Sequence, residues 1–374
     1  MPTTQLFPQV IDASTLGAKL TSPIFFPIGI EGVAAAGGTA AIGSVTKIST
    51  PSESDVALGA SSRLGQLVKF LLTRGASPVY AGVSSKTTAI LSDRQAVWDQ
   101  FSSDSAIRIR LTDSVLQSDL VALGTNMNQA DAIFNKQFGF VGMAAATTKA
   151  ALLTAASAIL NKRTVLVGPS VYDESSPAVL RDGGFLAAAI AAEVTKNGDP
   201  TNDLDRWTLP LLTGIEKDAL GFPLLRVKTV NGVATNDFED LLQGGVSPVM
   251  NDGTGVAITH LRTTYTTDGT FDSLMTRIIV DQVFVDVRDY LMESNFLRLP
   301  NSEETRGRIK SGVEALLFER RSWIKPKSQN DGTVGYNVQV TSSPDNRQVT
   351  VAYEGTVVRG ISTIQVAASL DIPV

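Results

Sequence analysis

Three runs of strict polar–apolar alternation close this 374-residue chain, between Gly335 and Val374. In the first, Tyr336, Val338 and Val340 alternate with Asn337, Gln339 and Thr341. In the second, Val349, Val351, Tyr353 and Val357 stand opposite Gln348, Thr350, Glu354 and Thr356. A period of two marks strands with one buried and one wet face. Ser342-Ser343-Pro344-Asp345-Asn346 between them reads as a turn. Past Gly360 a third run puts Ile364, Val366, Ala368, Leu370, Ile372 and Val374 on one side, with Ile361 leading into it. A strand with an apolar face aggregates unless it finds a sheet edge. It therefore pairs either inside its own subunit or with the sheet of a neighbouring copy, by strand addition.

Length suggests two or three domains. The formal net charge of −5, without a Lys/Arg run, argues against a nucleic-acid surface. The absence of cysteine excludes disulfides and thiol chemistry and fits folding in a reducing cytoplasm. The most apolar stretch, Phe185 to Val194, falls short of the ~18 residues a membrane-spanning helix needs. Met1 to Pro8 lacks the basic-then-apolar pattern of a signal peptide.

Residues 1–22 read as an extended arm, with Leu6, Phe7, Val10 and Ile11 as a weak strand. Between 23 and 222 strands alternate with amphipathic helices. Strands are expected at Ala40–Ile48, Val79–Val83, Ile107–Leu111, Phe138–Ala145 and Thr164–Val167. Helices are expected after Ser61 or Ser62, with a Leu64, Leu67, Val68, Leu71, Leu72 stripe ended by Arg74-Gly75. Others are expected at Lys86–Phe101 (Leu91, Trp98 and Phe101 inward), from Thr147, and at Phe185–Lys196. This order implies an α/β domain with a mainly parallel sheet. Residues 223–359 read as an α+β core domain and 360–374 as a C-terminal arm. In that core a hairpin turns at Asn231-Gly232 and a strand runs from Val256 to Tyr265. Phe271–Leu297 carries both strand-like and helical spacing, which its length resolves as helix. Ser302 caps a further helix, Glu303–Phe318.

No stretch carries a recognisable chemistry. His260 is the single histidine, without a nucleophile elbow to serve, and reads as structural. The glycines between Gly29 and Gly43 miss the dinucleotide spacing, and Lys149 does not directly follow the glycine a phosphate loop requires. Asp199, Asp203 and Asp205 lack calcium-loop spacing. No catalytic residue, metal or cofactor is therefore expected. Arg306, Arg308 and Lys310 form a compact basic cluster that is either a solvated helix face or a contact with an acidic protein surface.

Three features together resemble the sheath proteins of contractile phage tails and R-type pyocin-like particles. One is the run Val256 to Tyr265, continuing through Asp272 and Arg277 to Asp289-Tyr290, similar to that family's Arg-Thr run followed by a long helix. Another is Asp205-Arg206-Trp207-Thr208-Leu209-Pro210 with Gly214-Ile215. The third is the C-terminal strand array. The resemblance implies a C-terminal core domain, an outward α/β domain, and arms, about Met1 to Ala18 and Gly360 to Val374, that add strands to neighbours. The family's opening strand is not evident at this N-terminus. It further implies a non-enzymatic helical polymer of stacked hexameric rings around an inner tube, with baseplate and tail-terminator proteins at its ends. It implies too that this subunit contacts neither nucleic acid nor membrane, and that the particle is a virion tail assembled in the host cytoplasm. The tube is expected to face Arg306, Arg308 and Lys310. An oligomeric α/β enzyme with an added β-domain is the rival reading.

Overall fold

The computed structural model describes residues 26–357, apart from 133–134, 176–177, 198–203, 205–206, 217–226, 231–232, 252–254, 268–272, 295–298, 329–333 and 343–348. The chain divides into two compact units, one covering Phe26–Ile278 and the other Ile279–Val358.

The first unit holds strands β1 (Ile28–Val33), β2 (Val45–Ile48), β3 (Val79–Ser85), β4 (Ile109–Thr112), β5 (Phe138–Gly142), β6 (Thr164–Gly168), β7 (Val171–Asp173), β8 (Leu180–Arg181), β9 (Thr208–Leu209), β10 (Leu212–Ile215), β11 (Val227–Val230), β12 (Val233–Asn236), β13 (Val246–Asn251) and β14 (Val256–Ile258). Its helices are α1 (Pro51–Leu58), α2 (Arg63–Thr73), α3 (Leu91–Ser103), α4 (Gln117–Ala132), α5 (Lys149–Ile159), α6 (Gly183–Asn197) and α7 (Asp237–Gln243). Nine strands make one mixed sheet in the order β2-β3-β1-β4-β5-β6-β13-β14-β9. From β3 to β13 every pairing is parallel; β2, β14 and β9 join antiparallel. The parallel strands read as continuous apolar runs because helices cover both faces. In β4, β5 and β6 every residue is buried.

Local chemistry sets the helix ends. Ser62 caps α2 by accepting from the Gly65 amide, and Thr148 caps α5 by accepting from Ala151. α6 is buried from Gly183 to Thr195, as an alanine-rich helix apolar on all sides must be. No described helix is long and apolar enough to cross a membrane.

Several expected elements shift. Residues 40–44 are a turn closed by the Ser44 amide on the Ala41 carbonyl, so β2 starts at Val45. α3 begins at Leu91, where Asp93 accepts from the Ile90 amide; Leu91 at this end is exposed, while Trp98 and Phe101 are buried. The strand expected at 256–265 stops at Ile258 because the bonds of the following backbone scatter rather than form one ladder: the Thr259 amide donates to the Pro248 carbonyl, Arg262 to Ser247 Oγ and Thr264 to the Thr164 carbonyl. β13 and β14, which the sequence grouped with the C-terminal core, extend the large sheet instead. Val246–Pro248 lie parallel to Leu166–Gly168, and Val246 through Val249 are buried without alternation, as a covered parallel strand requires.

The division between the units falls inside α8 (Leu274–Glu293). This is the stretch with two periodicities. It is a helix with Ile279, Val283, Val285 and Val287 all buried, so burial on more than one face had imitated strand alternation. The second unit adds α9 (Glu303–Glu319) and strands β15 (Ile324–Lys325), β16 (Lys327–Ser328), β17 (Val334–Gly335), β18 (Gln339–Ser342), β19 (Val349–Ala352) and β20 (Thr356–Val357). Its core joins Ile279, Val283 and Val287 of α8 to Ile309, Val313, Leu316 and Leu317 of α9. Trp323, Ile324, Tyr336 and Val338 complete it.

Candidate intersubunit surfaces

In the second unit the C-terminal alternation becomes a set of short antiparallel pairs, β15 with β20, β16 with β17, and β18 with β19. The β18–β19 register sets Val340 against Val351 and Thr341 against Thr350. Val340, Val351, Tyr353 and Val357 pack on the core, while Thr350, Ala352, Glu354 and Thr356 are exposed. Val349 was expected inward; it opens its strand and is exposed. Two strands alone are marginal in water, so these pairs depend on the helices beneath them. The Tyr336 hydroxyl helps by donating to the Ile324 carbonyl at 3.0 Å. Among the described residues each of these sheets has only two strands, which leaves one edge of every strand without a strand partner. Such an edge offers a row of N–H and C=O groups to an incoming strand. Ile361, Ile364, Val366, Ala368, Leu370, Ile372 and Val374, and Leu6, Phe7, Val10 and Ile11, lie outside the described residues.

The basic cluster sits on α9. Ser302 caps the helix on the Thr305 amide at 3.1 Å, and Glu303 and Glu304 occupy the first turn, where carboxylates suit the helix dipole. Arg306, Arg308 and Lys310 flank the inward Ile309, but each has a partner. Arg306 donates to Asn301 Oδ1 at 2.8 Å, Arg308 to Glu304 at 2.6 Å, and Lys310 stands 4.0 Å from Glu314. Exposed i,i+4 pairs of this kind are worth only ~0.3–0.5 kcal/mol and exchange readily. Sequence reasoning passed over Phe318, which is 57% exposed and carries the Arg321 guanidinium 4.8 Å from its ring. Its signal was phase: Phe318 falls seven residues after the exposed Ser311 and eleven after Gly307, on the outer face.

A nearly buried ion pair lies within this unit. Arg320 reaches Asp286 through Nε at 2.7 Å and Nη2 at 2.6 Å, and stacks 4.2 Å over Trp323. Burial pushes the Asp286 carboxyl up, against the pull of Arg320. Burial, with Asp286 adding to it, pushes the Tyr353 hydroxyl up to about 12.

The α/β unit holds the two remaining sequence signals against each other. Thr208-Leu209 of β9 pairs antiparallel with Val256-Ala257 of β14. The Trp207 indole donates to buried Glu193 at 3.2 Å, and Arg74 donates to the Pro210 carbonyl at 3.0 Å. Beyond β14, the Thr264 amide donates to the Thr164 carbonyl at 2.8 Å. Both motifs are thus fastenings along one side of the sheet.

The parallel order β3-β1-β4-β5-β6 reverses direction at β1/β4, and a doubly wound sheet commonly binds ligands at the carboxyl ends of such strands. Here side chains fill that position. Arg94 of α3 donates to Glu31 at 2.8 Å and to Asp113 at 2.7 Å, and its Nε stands 3.1 Å from Asp119. Gly32 makes room, since a Cβ there would sit 2.5 Å from the Asp113 carboxyl. The loop after β5, which leads to Lys149, has its Ala146 amide taken by Glu216 at 3.1 Å. Asp199, Asp203 and Asp205 lie outside the described residues, and no acidic or histidine cluster able to hold a metal occurs among those described.

No protein-family model matches the chain. No curated protein matches it either. Solved structures do. A chain of the six-fold symmetrised baseplate of the anti-feeding prophage matches with a TM-score of 0.68 at 13% identity, over 94% of both chains. A chain of that particle's helical sheath in the contracted state gives 0.66 at 13% identity, again over 94% of both. The sheath tail protein of Listeria innocua gives 0.66 at 12% identity, over 92% of this chain and 94% of that one. The chain has the fold of contractile-tail sheath proteins, across both of its units.

Proposed function

We propose that this protein is the structural subunit of a contractile tail sheath, with a mechanical rather than a catalytic role. Copies polymerise helically, as stacked hexameric rings, around an inner tube, and contraction of the polymer drives the tube through a cell envelope. The observation that carries this reading is the extent of the likeness: 94% of the chain follows 94% of a subunit from a contracted helical sheath. A shared α/β domain alone would leave the C-terminal unit unmatched. A baseplate at one end and a tail-terminator at the other complete the particle, a virion tail assembled in the host cytoplasm.

The strand edges of β15 to β20 that have no partner among the described residues support strand addition as the link between copies. In this proposal Ile364 to Val374 adds to a neighbour's sheet, and the arm containing Leu6, Phe7, Val10 and Ile11 does the same. Each main-chain hydrogen bond contributes a net ~1 kcal/mol. Each of Ile364, Val366, Leu370 and Ile372 adds ~1.5–3 kcal/mol on burial, before the cost of ordering the arm. Arms held this firmly keep neighbours joined while their bodies move.

Electron microscopy of concentrated protein tests the reading. Tubular polymers are expected, and discrete closed oligomers overturn it. Deleting Gly360 to Val374 should leave a soluble, folded subunit that forms no tubes. An unfolded or aggregated product, or normal polymerisation, refutes the exchange of that strand.

A further inference from the structure

Three carboxylates converge on one guanidinium at the carboxyl edge of the central strands. Glu31, in the second half of β1, is fully buried, and Asp113 and Asp119 are almost so. Arg94 donates through Nη1 to Glu31 and Asp113, and its Nε stands 3.1 Å from Asp119 as a charge contact without a hydrogen bond. The remaining contacts are hydroxyls and an amide. Thr112 Oγ1 lies 2.8 Å from Glu31, Ser114 Oγ lies 2.6 Å from Asp119, and the Val33 amide donates to Asp113 at 2.7 Å. The next cation, Arg63, donates its Nε to the Asp113 backbone carbonyl and commits both Nη groups to Asp182. Fully ionised, the cluster would hold two negative charges beyond what Arg94 balances, out of reach of water. Carboxylates crowded this closely in a buried site do not all ionise.

We propose that this cluster is a proton lock: the folded protein keeps a proton on Glu31, and surrendering it at and above neutral pH loosens the edge where β1, α3 and α4 meet. The cluster ties together the exit of β1 through Val33, the first turn of α3 through Arg94 and the first turn of α4 through Asp119. Repulsion within it therefore acts on three elements at once. Burial holds the Glu31 carboxyl up at about 7, against the opposing pull of Arg94 and with Asp113 adding to the rise. The folded state thus binds a proton that the unfolded chain releases near the ordinary glutamate value. Stability from this source is full below that value and is lost as pH rises to about 7.

The test compares the wild-type chain with Glu31→Gln, which copies the protonated form, by amide hydrogen exchange and denaturant unfolding at several pH values. Relative to the variant, the wild-type folded-to-unfolded ratio should fall by up to tenfold per pH unit through this window, the limit for one proton. Protection at 33–35, 91–94 and 113–119 should fall with it. A wild type and variant with parallel pH profiles overturn the proposal. Should Glu31→Gln fail to fold, infrared spectroscopy of the wild type decides: a protonated-carboxyl band below neutral pH that disappears above it is expected, and its absence at every pH overturns the lock.

Discussion

Removing Arg320 alone should damage the second unit far more than removing Arg320 and Asp286 together. Both side chains are nearly buried, at 8% and 11% exposure, and Arg320 spends two nitrogens on one carboxylate. In Arg320→Met the Asp286 carboxylate keeps only the Gln282 amide, at 2.8 Å, as a strong donor among the contacts seen here. Stranding one member of a buried pair costs ~3–5 kcal/mol, and losing the stack over Trp323 adds ~0.5–2 kcal/mol. A loss of 3 kcal/mol multiplies the opening equilibrium on the order of 100-fold. In Arg320→Met/Asp286→Leu no charge is stranded, and replacing both partners by apolar groups is often neutral or stabilising. The double variant should therefore recover most of the deficit, giving a coupling of several kcal/mol. The sign with pH follows from burial, which already favours the protonated Asp286. Without Arg320 that preference strengthens, so the single variant loses stability as pH rises through the raised value and is least impaired in acid. Amide hydrogen exchange along α8 and α9 reads the second unit separately, which a single global transition would not. Equal deficits in single and double variants, or a deficit that ignores pH, would refute the reasoning.

Gly312→Val should destabilise the same unit by ~1–3 kcal/mol through overpacking, because a Cβ at Gly312 would lie 1.7 Å from the Tyr290 hydroxyl. Tyr290→Ala in the same chain should relieve it, as thermal unfolding will report. The wild-type second unit should weaken in alkali: Tyr353 is pushed up to about 12 from its ordinary 10, so its contribution is present below pH 10 and lost as pH climbs toward 12. Tyr353→Phe should remove that part of the alkaline loss; an unchanged alkaline titration speaks against it. Reversing Arg306, Arg308 and Lys310 to glutamate should leave subunits folded and impair assembly on tubes. Sheaths that assemble normally with unchanged salt sensitivity would exclude α9 as the face toward the tube.

What the sequence disclosed was whatever repeats locally. The Leu64, Leu67, Val68, Leu71 stripe, the Ser62 and Ser302 caps and the inward Tyr336, Val338, Val351 and Tyr353 all follow from a period and a neighbour, and all recur in the fold. α4 escaped notice although Leu120, Leu123, Met127 and Ala130 keep helical spacing, because Asp119 and Asn126 share its buried surface and blur the pattern. Their reason is remote. Asn126 accepts from Ser102 and Arg110 and donates to Asp99, partners on another helix and a strand. α1 was missed for a different cause: only Ser54 and Leu58 are buried, and its readable signal was the Thr50–Glu53 capping box rather than an apolar stripe.

The candidate surfaces divide in the same way. Arg306, Arg308 and Lys310 were conspicuous as a run of charge, but charge in a sequence has no phase until a helix supplies one. On α9 the i,i+4 geometry hands Arg308 to Glu304 and Lys310 to Glu314, while Arg306 turns back to Asn301. A docking partner must therefore displace carboxylates already in place, which makes this surface better suited to setting register than to supplying affinity. In the proposed assembly tight joining is assigned instead to the edges of β15 to β20 that have no strand partner among the described residues. Glu31 and Arg94 sit 63 positions apart and Glu31 and Thr112 81 apart, with no local motif to announce them. Nothing in the period of a strand predicts a glutamate facing a helix from the middle of a parallel sheet. Such a residue is found only after topology has brought β1 beside β4, and the cost of burying it ties its protonation to the fold.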